Sequence, residues 1–168
     1  MKNAFELLIP HLTLANAGDW INLGDHRGRS LISSAQSGGT ILLAEVEADF
    51  LGGVSPHIHT MEDESFYILE GRFSVGVGDQ QLFAGPGDTV FAPRDVSHTW
   101  RCMSENGGRL LLLVTPGENF EKFIVKMAGQ AAMANEMTTF AAICAIAESH
   151  GMTMLAQPTK LGRVATQH

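Results

Sequence analysis

Between Arg29 and Thr115 the chain is cut at short, regular intervals by turn-forming residues, and this punctuation limits the folds open to it. The breaks fall at Leu51-Gly52-Gly53, Glu70-Gly71, Gly78-Asp79, Gly85-Pro86-Gly87-Asp88, Pro93-Arg94-Asp95 and Asn106-Gly107-Gly108. The segments between them read as short strands at regular spacing. Thr40–Ala48 alternates, with Leu42, Ala44, Val46 and Ala48 on one face and Glu45 and Glu47 on the other, as a half-buried strand does. Further strands are expected at Ser30–Ser34, through the histidines that follow Gly53, and at Ser65–Leu69, Arg72–Val77, Gln80–Phe83, Thr89–Ala92, Ser97–Cys102 and Arg109–Thr115. Many short strands with Gly, Pro and Asp turns imply an all-β fold, a single antiparallel barrel or jelly roll.

The flanks read differently. Residues 1–28 hold turn clusters around a short Trp20–Leu23 piece and are expected to form an extended N-terminal arm, with His11 and His26 facing solvent or a partner. After Pro116-Gly117 the period lengthens: Phe120, Phe123, Ile124 and Met127 fall at helical spacing up to Gly129. A second helix is expected from about Thr138 to His150, capped by a threonine and ended by Gly151. The organisation is then an arm (1–28), a β-barrel (29–118) and a helical C-terminal extension packed on it (119–168).

Composition excludes several functions. The net charge of −7, without a lysine or arginine block, lacks the footprint of a phosphate-tracking nucleic-acid binder. No apolar run reaches the ~20 residues that span a bilayer, and the N-terminus offers no usable signal-peptide core. Cys102 and Cys144 have no CxxC spacing, so both are read as reduced thiols of a cytoplasmic protein.

The chemistry is concentrated in Pro56–Gly71. His57 and His59, two apart on a strand, point the same way. Of the adjacent acids Glu62, Asp63 and Glu64, the last shares parity with Phe66 and Ile68 on the inward face, while the other two fall in a turn. Downstream, a Gly87-Asp88 turn, a short strand and a Pro93 turn would bring His98 back toward the first pair. Neutral imidazoles and an ionised carboxylate suit Fe, Mn, Ni, Co, Cu or Zn, and ligand type alone does not choose among them.

These residues resemble the two motifs of the cupin superfamily. His57, His59, Glu64 and Gly71 fall on the first (G-x5-H-x-H-x3-4-E-x6-G), and Gly87, Pro93 and His98 on the second (G-x5-P-x-G-x2-H-x3-N). The Asp-Glu-x-Phe-Tyr-x-Leu-Glu-Gly run is similar to that of small, single-domain, quercetin-dioxygenase-like bacterial cupins. The departures are Leu51 for the first motif's glycine, Asp95 for the second motif's, and Cys102 for its asparagine.

The resemblance implies a divalent transition metal held by His57, His59, Glu64 and His98, with up to two positions left for substrate. It implies a metal-dependent oxygenase acting on a small phenolic or enolic molecule, with Glu64 as general base. The same site also suits a metal-dependent isomerase, lyase or decarboxylase, or a non-catalytic ligand-binding module. Phe66, Phe73, Trp100 and Cys102 are expected to line the pocket, and edge-strand pairing into a homodimer is expected.

Overall fold

The computed structural model describes residues 8–15, 17–133 and 140–155, with the backbone alone at 130–133. The alternating segments form strands almost where the turns confine them. They are β1 (Ile21–Asn22), β2 (His26–Ile32), β3 (Leu42–Ala48), β4 (Gly53–His59), β5 (Asp63–Glu70) and β6 (Phe73–Val77). There follow β7 (Gln80–Ala84), β8 (Thr89–Ala92), β9 (His98–Cys102) and β10 (Gly108–Thr115). Two helices, α1 (Glu118–Met133) and α2 (Phe140–Glu148), precede a last strand, β11 (Met152–Met154). The helix expected to stop at Gly129 runs on to Met133, and the expected threonine cap of the second helix lies outside the described residues.

The strands pair antiparallel into a six-stranded sheet, β1-β2-β3-β10-β5-β8, and a five-stranded sheet, β11-β4-β9-β6-β7. The two make a jelly-roll sandwich rather than a closed barrel. Period-two alternation decides what lies between them. The first sheet contributes Leu42, Val46, Phe66, Ile68, Leu110, Leu112 and Val114, and the second Phe73, Val75, Trp100 and Cys102, all buried. The close approach of strands needs glycine at Gly53, where a Cβ would run into the Trp100 carbonyl.

Two local expectations are corrected. His26 does not face solvent: its side chain is 13% exposed and its ring meets the edge of Trp100, centroids 5.3 Å apart. The reason is register, because His26 opens β2 opposite the inward Ala48. Glu45, on the outer face, is buried as well, since Arg29 (2.6 and 2.9 Å) and Arg109 (3.2 Å) enclose its carboxylate. His11 is exposed. No helix among the described residues is long and apolar enough to cross a membrane.

Candidate metal centre

A bulge sets the site. Val54 faces Trp100 across β4 and β9, and a regular ladder would then place Pro56 opposite His98. Instead the register shifts between Val54 and His57, so His57 is the residue opposite His98. One extra residue reverses the parity of the strand end. His57 and His59 therefore turn into the sandwich on the same side as Val54, and Ser55 and Pro56 occupy the irregular stretch. Proline, which has no N–H for the ladder, is at home in such a position.

Glu64 arrives from the other sheet. It pairs with Val114 on one side and Ala92 on the other, on the inward face with Phe66 and Ile68. The structure thus brings His57, His59, Glu64 and His98 together: all four are buried, and one potential ligand atom from each lies within 4.8 Å of the others. His59 Nε2 is 3.4 Å from Glu64 Oε1, and His98 Nε2 is 3.2 Å from Glu64 Oε2.

The ring nitrogens test whether a metal fits. His57 Nδ1 donates to the Ser55 carbonyl (2.8 Å), and His98 Nδ1 to the Val96 carbonyl (3.0 Å). His59 Nδ1 donates to Glu62 Oε2 (3.1 Å). With every Nδ1 tied to an oxygen, each Nε2 is the free lone pair aimed inward. Nε2 of His59 and of His98 is buried and completes no well-aligned hydrogen bond, although the two lie 3.4 and 3.2 Å from the Glu64 oxygens. Buried polar atoms without partners are costly, and lone pairs converging on a carboxylate match a cation's requirements. The donor set fits a divalent transition metal.

Charge within the cluster is strongly coupled. For Glu64, burial opposes ionisation, but the His98 hydrogen bond and the charges of the three imidazoles outweigh it and hold the carboxyl below its usual range. For His57, burial dominates and, with His98 and His59, drives the imidazole down to about 4 against the pull of Glu64. For His98, burial is again the largest influence, yet the hydrogen bond and charge of Glu64 reverse it and raise the imidazole above its ordinary value. The metal-free cluster is thus organised around a Glu64–His98 pair.

Phe66 is the pocket candidate beside the ligands, its ring centroid 6.5 Å from that of His98. Trp100 and Cys102 lie farther along β9, where Cys102 pairs with Phe73 at the far end of the sandwich, and all four are packed in the core. Asp63 faces outward and is gripped by Arg94 (2.7–3.1 Å), whose hydrogen bonds lower its carboxyl to about 2. Two surface grooves, of about 640 and 730 Å³, lie elsewhere and contain none of the four ligands. The groups that sequence reasoning missed are Glu62, buried rather than left in a solvated turn, and its partner Asn119 on α1. Spacing hinted at Glu62, three residues after His59; nothing local pointed to Asn119.

The motif departures have a backbone explanation. Leu51 (φ 64°) and Asp95 (φ 63°) are the described non-glycine residues in the left-handed region. They stand where the cupin motifs carry glycine, so the turns keep their shape with costlier residues.

Comparison with known proteins agrees. Residues 49–114 match the Cupin_2 family, described as "Cupin domain". Those residues are similar to a cupin domain, and the His-His-Glu-His cluster fits a cupin metal site. Quercetin 2,3-dioxygenase of Bacillus subtilis (strain 168) is 24% identical over 115 residues, which cover 68% of this chain but 34% of that protein. Among solved structures, KdgF from Halomonas sp. superposes with a TM-score of 0.58 at 19% identity, covering 64% of this chain and 94% of its own. The polyketide cyclase RemF from Streptomyces resistomycificus gives 0.56 at 22% identity, covering 64% and 80%. At these identities the two structures speak for the fold alone.

Proposed function

We propose that the protein is a metal-dependent oxygenase acting on a small phenolic or enolic molecule. The observation that carries this reading is the inward convergence of His57, His59 and His98 on Glu64 inside an apolar sandwich, with Nε2 of His59 and of His98 facing its two oxygens. The sequence likeness to a quercetin 2,3-dioxygenase supports the reaction class. A bound divalent metal would supply Lewis acidity and open positions where substrate and dioxygen meet. The chain's own contribution is to fix the imidazoles through their Nδ1 hydrogen bonds and to exclude water with the surrounding apolar side chains. Glu64 is ionised in the metal-free protein and its Oε2 is the acceptor for an enol or phenol proton, a general-base role that needs no further residue.

The direct test is oxygen uptake by metal-loaded protein with quercetin and simpler enols, beside a Glu64→Gln variant. Oxygen-dependent substrate loss that Glu64→Gln slows by at least ~100-fold is expected, the lower end of what a general base contributes. A second reading is non-redox isomerisation, cyclisation or decarboxylation at the same site, because a Lewis-acidic metal with open positions serves those reactions as well. Turnover that continues undiminished without oxygen would decide for it.

A further inference from the structure

The C-terminal extension, outside the matched cupin residues, reaches the metal ligands through a chain of buried hydrogen bonds. Glu62 is fully buried. Its Oε2 accepts from His59 Nδ1 at 3.1 Å, and its Oε1 accepts from Asn119 Nδ2 at 2.7 Å. The same Asn119 amide nitrogen donates to the His150 carbonyl, also at 2.7 Å, so its two hydrogens are both committed. A metal ligand on β4, an acid in the following turn, the first turn of α1 and the second residue beyond α2 are joined in one line.

The end of that line returns to the ligands. Gly151, at φ 73°, ends the second helical segment, and its carbonyl accepts from both the N–H and the hydroxyl of Thr60, each at 2.9 Å. β11 then pairs with β4 so that Met152 lies opposite His59 and Met154 opposite His57. The Leu155 N–H closes the pairing on the Pro56 carbonyl at 2.8 Å, inside the bulge. Phe120, one residue after Asn119, sets its ring 5.5 Å from the His59 imidazole.

We infer that Glu62 and Asn119 are positioning residues for the metal centre, and that metal binding and docking of the C-terminal extension are coupled. This rests on the four-residue metal reading above. The physical reason is that a buried carboxylate is tolerable only when its oxygens are hydrogen-bonded. With Asn119 in place, Glu62 is fixed and holds His59 as the tautomer whose Nε2 lone pair faces the cluster. Without the amide, one Glu62 oxygen loses its donor inside the core. The carboxylate is then free to rotate, and His59 loses its fixed orientation. By reciprocity, filling the site with metal fixes His59 and strengthens the contacts that dock α1, α2 and β11.

The test uses the full chain with Co²⁺, whose visible spectrum reports ligand geometry. Asn119→Leu, similar in size but without donors, is expected to weaken Co²⁺ binding by roughly 10- to 100-fold, the range for removing an outer hydrogen-bond partner. It is also expected to shift the ligand-field bands, which loss of stability alone does not do. Asn119→Leu with wild-type affinity and spectrum overturns the inference. In the unmutated protein, Co²⁺ is expected to slow amide exchange across 150–154 by ~10-fold or more; unchanged exchange on saturation overturns the coupling even where Asn119→Leu does not fold. Unmutated protein that takes up no Co²⁺ overturns the metal reading and this inference with it, an outcome distinct from both others.

Discussion

His57 and His98 are direct cross-strand partners, and they are so only because β4 carries an irregularity at Ser55-Pro56. Deleting Ser55 and Pro56 together leaves a one-to-one ladder in which Ile58 faces His98 and both histidines of β4 turn outward. The expected outcome is loss of metal from about one equivalent to background, with the sandwich retained. Metal analysis of protein purified without chelators, beside circular dichroism, checks it; a full equivalent of metal in the deletion variant would contradict this account of the site.

That relationship also marks the limit of what was legible in the amino-acid order. Turn residues and alternation place most strands within a residue or two, and parity selects Glu64 from three adjacent acids. Parity also says that His57 and His59 share a face; which face depends on a bulge that only the pairing with β9 reveals. His26 was missed for a similar reason, because its partner Ala48 is set by β2–β3 register. Glu62 and Asn119 are 57 positions apart and meet only through packing of α1. Local patterns carry periodicity and turns; long-range pairing carries everything else.

Asp95 offers a direct measure of backbone strain. Its left-handed φ of 63° belongs to a position where the motif has glycine, and its N–H donates to the His59 carbonyl at 2.7 Å. Left-handed geometry costs an L-residue ~1–2 kcal/mol, and glycine's extra unfolded-state entropy returns ~0.5–1 of that. Asp95→Gly is expected to stabilise the protein by about 0.5–1 kcal/mol, and Asp95→Val to destabilise it by more than that. Urea melts with unchanged slope provide the comparison.

The two thiols are expected to differ in reactivity. Cys102 is fully buried, and burial pushes its thiol up, away from the nucleophilic thiolate. Cys144 is half-buried on α2. Titration of native protein with an aromatic disulfide is expected to label Cys144 first, with Cys102 reacting only on unfolding. Equal rates for the pair, resolved with a Cys144→Ser variant, would show that the core near Cys102 opens readily.

The outer face of the six-stranded sheet predicts self-association. Its rows run Ile32–Leu43–Leu113–Ser65–Phe91, then Arg29–Glu45–Leu111–Tyr67–Thr89, then Arg27–Glu47–Arg109–Glu70. An apolar row ends in Phe91, 58% exposed, and the charged row alternates in sign, which is self-complementary about a two-fold axis. The residues 8–15 covering part of this face turn Ile9 and Leu12 outward. A second copy of the chain is the expected occupant. Light scattering should give a dimer, and Phe91→Glu with Tyr67→Glu should give monomers that keep their metal; a monomeric unmutated protein would refute the interface.

Metal affinity is expected to rise with pH, and His98 sets the window. Metal requires neutral imidazoles. His57, held down to about 4, is already neutral across the neutral range and does not limit binding there. His98, raised above its ordinary 6.5 by Glu64, still carries a proton that the metal must displace. Below the His98 value, affinity should fall about tenfold per pH unit, and above it the dependence should flatten. The metal-free fold responds in the opposite sense. A histidine whose folded value is raised contributes stability that is fully present below 6.5 and is lost as pH rises through the folded value. Alkaline pH therefore weakens the empty protein while strengthening its hold on metal. Glu64→Gln removes the opposing charge, so burial outweighs the remaining Val96 hydrogen bond and His98 should titrate below its ordinary value in the imidazole proton resonances. Calorimetric Zn²⁺ titrations in buffers of different ionisation enthalpy should count close to one released proton on the acid side; a pH-independent affinity would contradict the Glu64–His98 pairing on which the expectation stands.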